Sequence, residues 1–207
     1  AFFNWGSPDE AERQQGLKEA ARVFSMAKRL GCPFVAAPPF GLTERTDIPL
    51  KDLAVRFEAL MDLADETGGV RPLLEFWRHS QTLGTLKEAM EVLANIQRDD
   101  AALLADVFHM CRDWSSYDLL KELPGEQLGL FHVNDFPHAD DLSSLTDADR
   151  VYPTDGIAPL AQIKQTLKDL NFQGMLSLEL FNKEYQQAGA EQVAKLGLEK
   201  TKEAFED

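Results

Sequence analysis

Cysteine is scarce. Cys32 and Cys111 are the only two, and their spacing fits neither a CxxC pair nor a zinc-ligand pattern. A reduced, cytoplasmic setting is therefore the expectation, ahead of a disulfide framework. Basic residues are also few, 21 against 35 acidic ones, for a formal net charge of −14. Such a surface repels phosphate backbones and anionic lipid, which argues against nucleic acid and membrane surfaces as partners. No apolar run approaches the roughly 18–20 residues of a membrane span. The opening "AFFNWGSPDE" lacks the basic start and long apolar centre of a signal peptide. Low-complexity tracts and linkers are missing too, so residues 1–207 read as a single domain.

What is present is a regular alternation. Ser7-Pro8-Asp9-Glu10 has the form of an N-cap, a proline at the first helical position and a capping-box Glu. Leu17, Ala20, Ala21, Phe24, Ala27 and Leu30 then mark one helical face, and Gly31 ends it. "PFVAAPPF" reads as a strand running into a loop. A second helix is expected from about Leu50 to Gly68-Gly69. "VRPLLEFW" is a strand, and Thr85 with Glu88 forms a capping box opening the next helix. "AALLADVF" and "LGLFHVND" are strands on either side of a short helix at "YDLLKEL". A helix at "APLAQIKQTLKDLNF", a strand at "MLSLELF" and a closing helix from about Gly189 complete the chain.

Strand followed by helix, repeated, predicts an α/β protein with a parallel sheet covered by helices. The strands are nearly continuous apolar runs, as expected where both faces are covered. An open doubly wound sheet and part of a (β/α)8 barrel both satisfy this pattern.

The strand ends carry the chemistry. "PLLE" closes on Glu75, "LLAD" on Asp106, "LGLFH" on His132 and "LSLE" on Glu179. In a parallel sheet or barrel these ends share one side, so the groups can converge despite their separation in sequence. Three carboxylates crowded together repel unless a cation intervenes. With one imidazole they suit a divalent ion such as Mn²⁺, Mg²⁺, Co²⁺ or Zn²⁺. A solvated or capping acid is the better reading of any single member, and a poor one for all four in series.

His109 lies three residues beyond Asp106, a spacing that fits no strand face. Placed in the following loop, it folds over the site to touch substrate, or is simply a loop histidine bonded to backbone. In "DRVYPTDG", Arg150 is either a fork of donors for substrate oxygens or an exposed ion-pairing residue. Phe76, Trp77 and Trp114 follow strand ends and either wall a pocket or pack in the core. His79 and His138 read as surface residues.

Together, "LLEFWRHSQT", "LLADVFHM", "LFHVNDFP", "TDADRVYPTDG" and "MLSLELFNKEY" resemble the xylose isomerase-like TIM-barrel superfamily of sugar isomerases, epimerases and AP endonucleases. The likeness is greatest to its inosose isomerase (2-keto-myo-inositol isomerase) branch. It runs from "FFN" to the closing helix and implies a TIM (β/α)8 barrel whose first strands are missing from this chain. It also implies metal ligands at Glu75, Asp106, His132 and Glu179, with substrate contacts from His109, Arg150 and Trp77. The implied activity is isomerisation or epimerisation of a polyol ketone or sugar through a metal-stabilised enediolate. Glu75 and Glu179 would be the acid and base, and no organic cofactor would be needed. A homodimer follows from the likeness alone.

Three rivals share the scaffold. A dehydratase of the inosose or dehydroshikimate type starts from the same enolate and is the second reading. An AP endonuclease would need an Asp-x-His pair where this chain has Asp149-Arg150-Val151. A non-catalytic barrel would not be expected to keep all four ligand positions filled.

Overall fold

The computed structural model describes residues 2–206 and gives strand-and-helix succession in the predicted order. Helix α1 spans Glu10–Leu30, and β1 spans Phe34–Ala37. Its cap is Asp9, whose side chain accepts from the Glu12 N–H, rather than Ser7. Ser7 instead donates its hydroxyl to Glu12 and accepts the Asp9 N–H, so the capping motif begins two residues later than the sequence suggests. Gly31 ends α1 at φ 73°, a left-handed conformation that glycine adopts without the Cβ penalty.

Next come α2 (Leu50–Thr67), β2 (Arg71–Glu75) and α3 (Leu86–Asn95). The predicted capping box is present: Thr85 accepts from the Glu88 N–H, and Glu88 accepts from the Thr85 N–H. Strand β3 (Ala102–Asp106) is buried throughout and runs directly into a one-turn helix, α4 (Val107–Met110). A second short helix, α5 (Ser116–Leu119), precedes β4 (Leu128–Val133). Helix α6 (Leu160–Asp169), β5 (Met175–Leu178), α7 (Lys183–Ala188) and α8 (Ala190–Phe205) follow.

The chain forms two compact units, the first running to Leu104 and taking in Glu126–Gly129, the second holding Ala105–Gly125 and Leu130 onward. In the first, β1 pairs with β2 and β2 with β3, all in parallel, with Glu75 in register with Leu104. Its core gathers Phe24, Leu53, Phe57, Leu60, Leu74 and Val92, all essentially without exposure. Trp5 packs edge-on against Phe57 and donates its indole N–H to the Pro38 carbonyl at 2.8 Å. Each large side chain buried in this way contributes about 1.5–3 kcal/mol.

In the second unit β4 pairs in parallel with β5, setting His132 opposite Ser177. Phe108, Phe131, Phe136, Ile163 and Tyr117 form its core, and Tyr117 donates its hydroxyl to the Val107 carbonyl. Strand β5 departs from the expected double coverage: Met175 is exposed and Leu176–Leu178 are half-buried. No helix among the described residues is long and apolar enough to cross a membrane.

Candidate metal centre

The second unit brings five of the predicted residues together. Asp106 ends β3 and is fully buried. Its Oδ1 accepts from the backbone N–H of Phe108 at 2.7 Å and of His109 at 3.2 Å, so it is the N-cap of α4. The spacing of three therefore has a structural meaning that the sequence reading missed. Asp106 caps the turn, and His109 is the third residue of the helix it caps. His109 is buried within that turn rather than riding a loop.

His132 is the penultimate residue of β4, and Glu179 is the residue after β5, its N–H bonded to the Val133 carbonyl. Asp106, His132 and Glu179 each offer a ligand atom, and these atoms lie within 4.8 Å of one another. His132 Nδ1 is 3.4 Å from Asp106 Oδ2 and 3.3 Å from Glu179 Oε2. Neither contact is a formed hydrogen bond, and Nδ1 is buried without one among the described residues. Ligand bonds of about 2.0–2.2 Å to a shared divalent ion would set neighbouring donors roughly 3–3.5 Å apart. The donor set, its spacing and the orphaned nitrogen all fit such an ion.

Arg150 reaches this cluster because the chain folds back after β4. Asp135 and Val151 exchange backbone hydrogen bonds of 2.9 Å in an isolated antiparallel bridge. The Asp135 carboxylate then accepts the N–H groups of Phe136, Gly156 and Ala158, fixing the returning loop. Gly156 passes so close that an added Cβ would lie 2.2 Å from the Phe136 carbonyl oxygen. Asn182 Nδ2 donates to the Arg150 carbonyl at 3.4 Å. The guanidinium is enclosed, with 1% of the side chain exposed, so the exposed ion-pair reading fails. Phe108 and Phe181 rings lie 4.9 and 5.4 Å from its central carbon, in cation–π range.

Every guanidinium N–H has an acceptor. Nη1 lies 2.7 Å from Asp106 Oδ2 and 2.8 Å from Glu179 Oε2. Nε and Nη2 both donate to Asp147 Oδ1, at 3.0 and 2.6 Å. Nη2 also lies 3.3 Å from His109 Nε2, and since arginine only donates, that nitrogen is the acceptor.

The charges shape one another. Burial alone would push the Asp106 carboxyl up, but the Arg150 charge holds it well below the usual carboxylate range. Burial likewise opposes the charged forms of His132 and Arg150. The facing carboxylates outweigh it, lifting the His132 imidazole to about 10 and raising Arg150 further above its ordinary value. An imidazolium cannot ligate, so His132 would have to give up its proton to hold an ion here.

Sequence reasoning did not find Asn134 or Asp147. Asn134 is fully buried, and its Nδ2 donates to the Asp106 oxygens at 3.2 and 3.4 Å and to the Glu179 carbonyl at 3.4 Å. Its signal was the two-residue step from His132, which keeps both on one face of an extended chain. In the first unit, Glu75 is the buried last residue of β2. Trp77 is half-buried, its ring 5.8 Å from Phe2 and 5.4 Å from His79. Phe76 is a core residue, Trp114 keeps 46% of its surface exposed, and His79 and His138 are exposed.

Residues 1–204 match the family model of the xylose isomerase-like TIM barrel. The chain belongs to that family. An inosose isomerase of Bacillus licheniformis is 32% identical over 208 residues, covering 98% of this chain and 72% of that protein. The solved structure of the IolI protein with a bound zinc atom superposes with a TM-score of 0.89 at 30% identity, over 99% of this chain and 73% of that one. D-psicose 3-epimerase of Clostridium cellulolyticum, solved with D-tagatose, shares the barrel fold at 16% identity, with a TM-score of 0.77 over 97% of this chain and 73% of that one. The TIM-barrel architecture expected from the sequence is thus established, and the family match runs through both compact units. As a xylose isomerase-like barrel with relatives of this kind, the chain is an enzyme of the isomerase and epimerase class.

Proposed function

We propose that the chain isomerises or epimerises a polyol ketone of the inosose type with the help of one divalent ion. The observation that carries this reading is the convergence of Asp106, His132 and Glu179 within 4.8 Å, a donor set that fits such an ion. Support for the substrate class comes from the inosose isomerase relative. Support for the metal comes from the zinc-bearing structural relative. By the family resemblance Glu75 is the fourth ligand, and the whole chain acts as one domain.

When bound, the ion supplies Lewis acidity to the ketone oxygen and its neighbouring hydroxyl. The residues of the chain do the rest. Glu179 takes the proton from the carbon beside the carbonyl, and that bond's electron pair moves toward the ketone oxygen to give the enediolate. In isomerisation Glu75 returns a proton to the former ketone carbon, while the hydroxyl proton of the first carbon passes to the former ketone oxygen, so that the new carbonyl forms at the first carbon. In epimerisation Glu75 returns the proton to the opposite face of the same carbon. Arg150 donates to substrate oxygens as negative charge develops, and His109 and Trp77 hold the polyol in place.

The test is proton exchange followed by NMR in D₂O with inosose and simple ketoses, with and without Mn²⁺. The wild-type protein should exchange the C–H next to the carbonyl only with the ion, and Glu179→Gln should lower that exchange at least about 100-fold with the fold intact. Exchange that persists in Glu179→Gln would remove Glu179 from its role. A dehydrated product instead of a transposed ketone would convert the reading to a dehydratase.

A further inference from the structure

Arg150 and the donor cluster compete for the same atoms. Asp106 Oδ2 and Glu179 Oε2, the two oxygens that face His132 Nδ1, are also the two that accept from Arg150 Nη1. The guanidinium is thus the pocket's own counter-cation, neutralising carboxylates that would otherwise repel. The opposite edge of the same guanidinium is held by Asp147, through two donors on one oxygen. Asp147 keeps 39% of its side chain exposed and sits at the start of a short turn, Asp147–Asp149. That turn is closed by Thr146 and Asp149, which form a capping box of their own.

We propose that Asp147 is a positioning residue that, through Arg150, sets how tightly the Asp106, His132 and Glu179 pocket holds a divalent ion. The proposal rests on the metal reading of the site given above. When an ion takes the two oxygens, the nearby guanidinium faces a like charge and loses two acceptors. Asp147 is the carboxylate that still neutralises it, on an edge that does not have to move. The Nη1 N–H groups, until then occupied by Asp106 and Glu179, would be freed to donate elsewhere. Without the Asp147 charge, Arg150 depends wholly on Asp106 and Glu179, and the ion must compete against it.

Mn²⁺ binding, read as loss of the free-ion electron paramagnetic resonance signal, tests this without any turnover. Asp147→Asn should weaken Mn²⁺ binding roughly 3- to 10-fold, and Asp147→Glu should restore most of it. Arg150→Gln should tighten binding by about 10-fold relative to wild type, because the competing cation is gone. In the Arg150→Gln background, adding Asp147→Asn should change the affinity less than about 2-fold. Arg150→Lys serves as a second background should the glutamine variant not fold, since a lysine cannot fork between Asp147 and the pocket. An equal loss from Asp147→Asn in both backgrounds would show Asp147 acting as a bare negative charge and would overturn the proposal. So would wild-type affinity in Asp147→Asn. If the wild-type protein itself binds no Mn²⁺, the metal reading of the site fails, and this proposal fails with it.

Discussion

Arg150 and Asp106 form an ion pair sealed from solvent. Nη1 lies 2.7 Å from Oδ2, with side-chain exposures of 1% and 0%. A pair of this kind adds little net stability, yet removing one partner strands the other charge in a poorly solvated interior. Arg150→Met is therefore expected to lower folding stability by about 3–5 kcal/mol. Urea unfolding in the presence of a chelator measures this, and a loss under about 1 kcal/mol would mean that Asp106 is not stranded.

Asn134 supports the same carboxylate. Replacing it with alanine removes long, imperfect hydrogen bonds to Asp106 and to the Glu179 carbonyl, with an expected cost of about 1–2 kcal/mol. Asp at position 134 would instead press a second carboxylate against Asp106, and should cost more than alanine at neutral pH. Thermal denaturation of Asn134→Ala and Asn134→Asp decides the order. The reverse order would show that the amide's shape, rather than its lack of charge, is what the site needs.

Asp135 gives the stability a pH dependence of known sign. Burial raises its carboxyl above the ordinary carboxylate value, although the backbone N–H groups of Ala158, Phe136 and Gly156 pull the other way. A carboxyl raised in the folded state binds its proton more tightly there than in the unfolded chain. Its stabilising contribution is thus complete below the unfolded value of 3.8 and is lost as pH rises through the raised folded value. Asp135→Asn does not titrate. The stability gap between wild type and this variant should therefore be largest at the acid end and shrink toward neutrality. Denaturant titrations across that range check it, and a gap that widens with rising pH would contradict the assignment.

The parts legible in the sequence are those set by near neighbours. Apolar periodicity located the helices and strands, Thr85 and Glu88 announced their own capping box, and Gly31 marked the end of α1. The position of Asp106, His132 and Glu179 at the ends of strands was equally visible, because a parallel sheet gathers such ends on one side. Where local signals were ambiguous the reading slipped. Ser7 and Asp9 are both good caps, and only the fold of the segment before α1 chose Asp9. His109 looked like a loop residue because a one-turn helix is too short to show a period.

The sequence by itself determined the order of elements and the family, and it offered the candidate ligand residues, since these depend on side-chain chemistry and on local spacing. Tertiary structure alone decided what surrounds those residues. The bridge between Asp135 and Val151 carries Arg150 into a pocket built from residues 44 and 29 positions away along the chain. Only there does a surface-looking arginine become the buried counter-cation of two carboxylates. Burial and charge pairing are sums over three-dimensional neighbours, which a linear spacing does not contain.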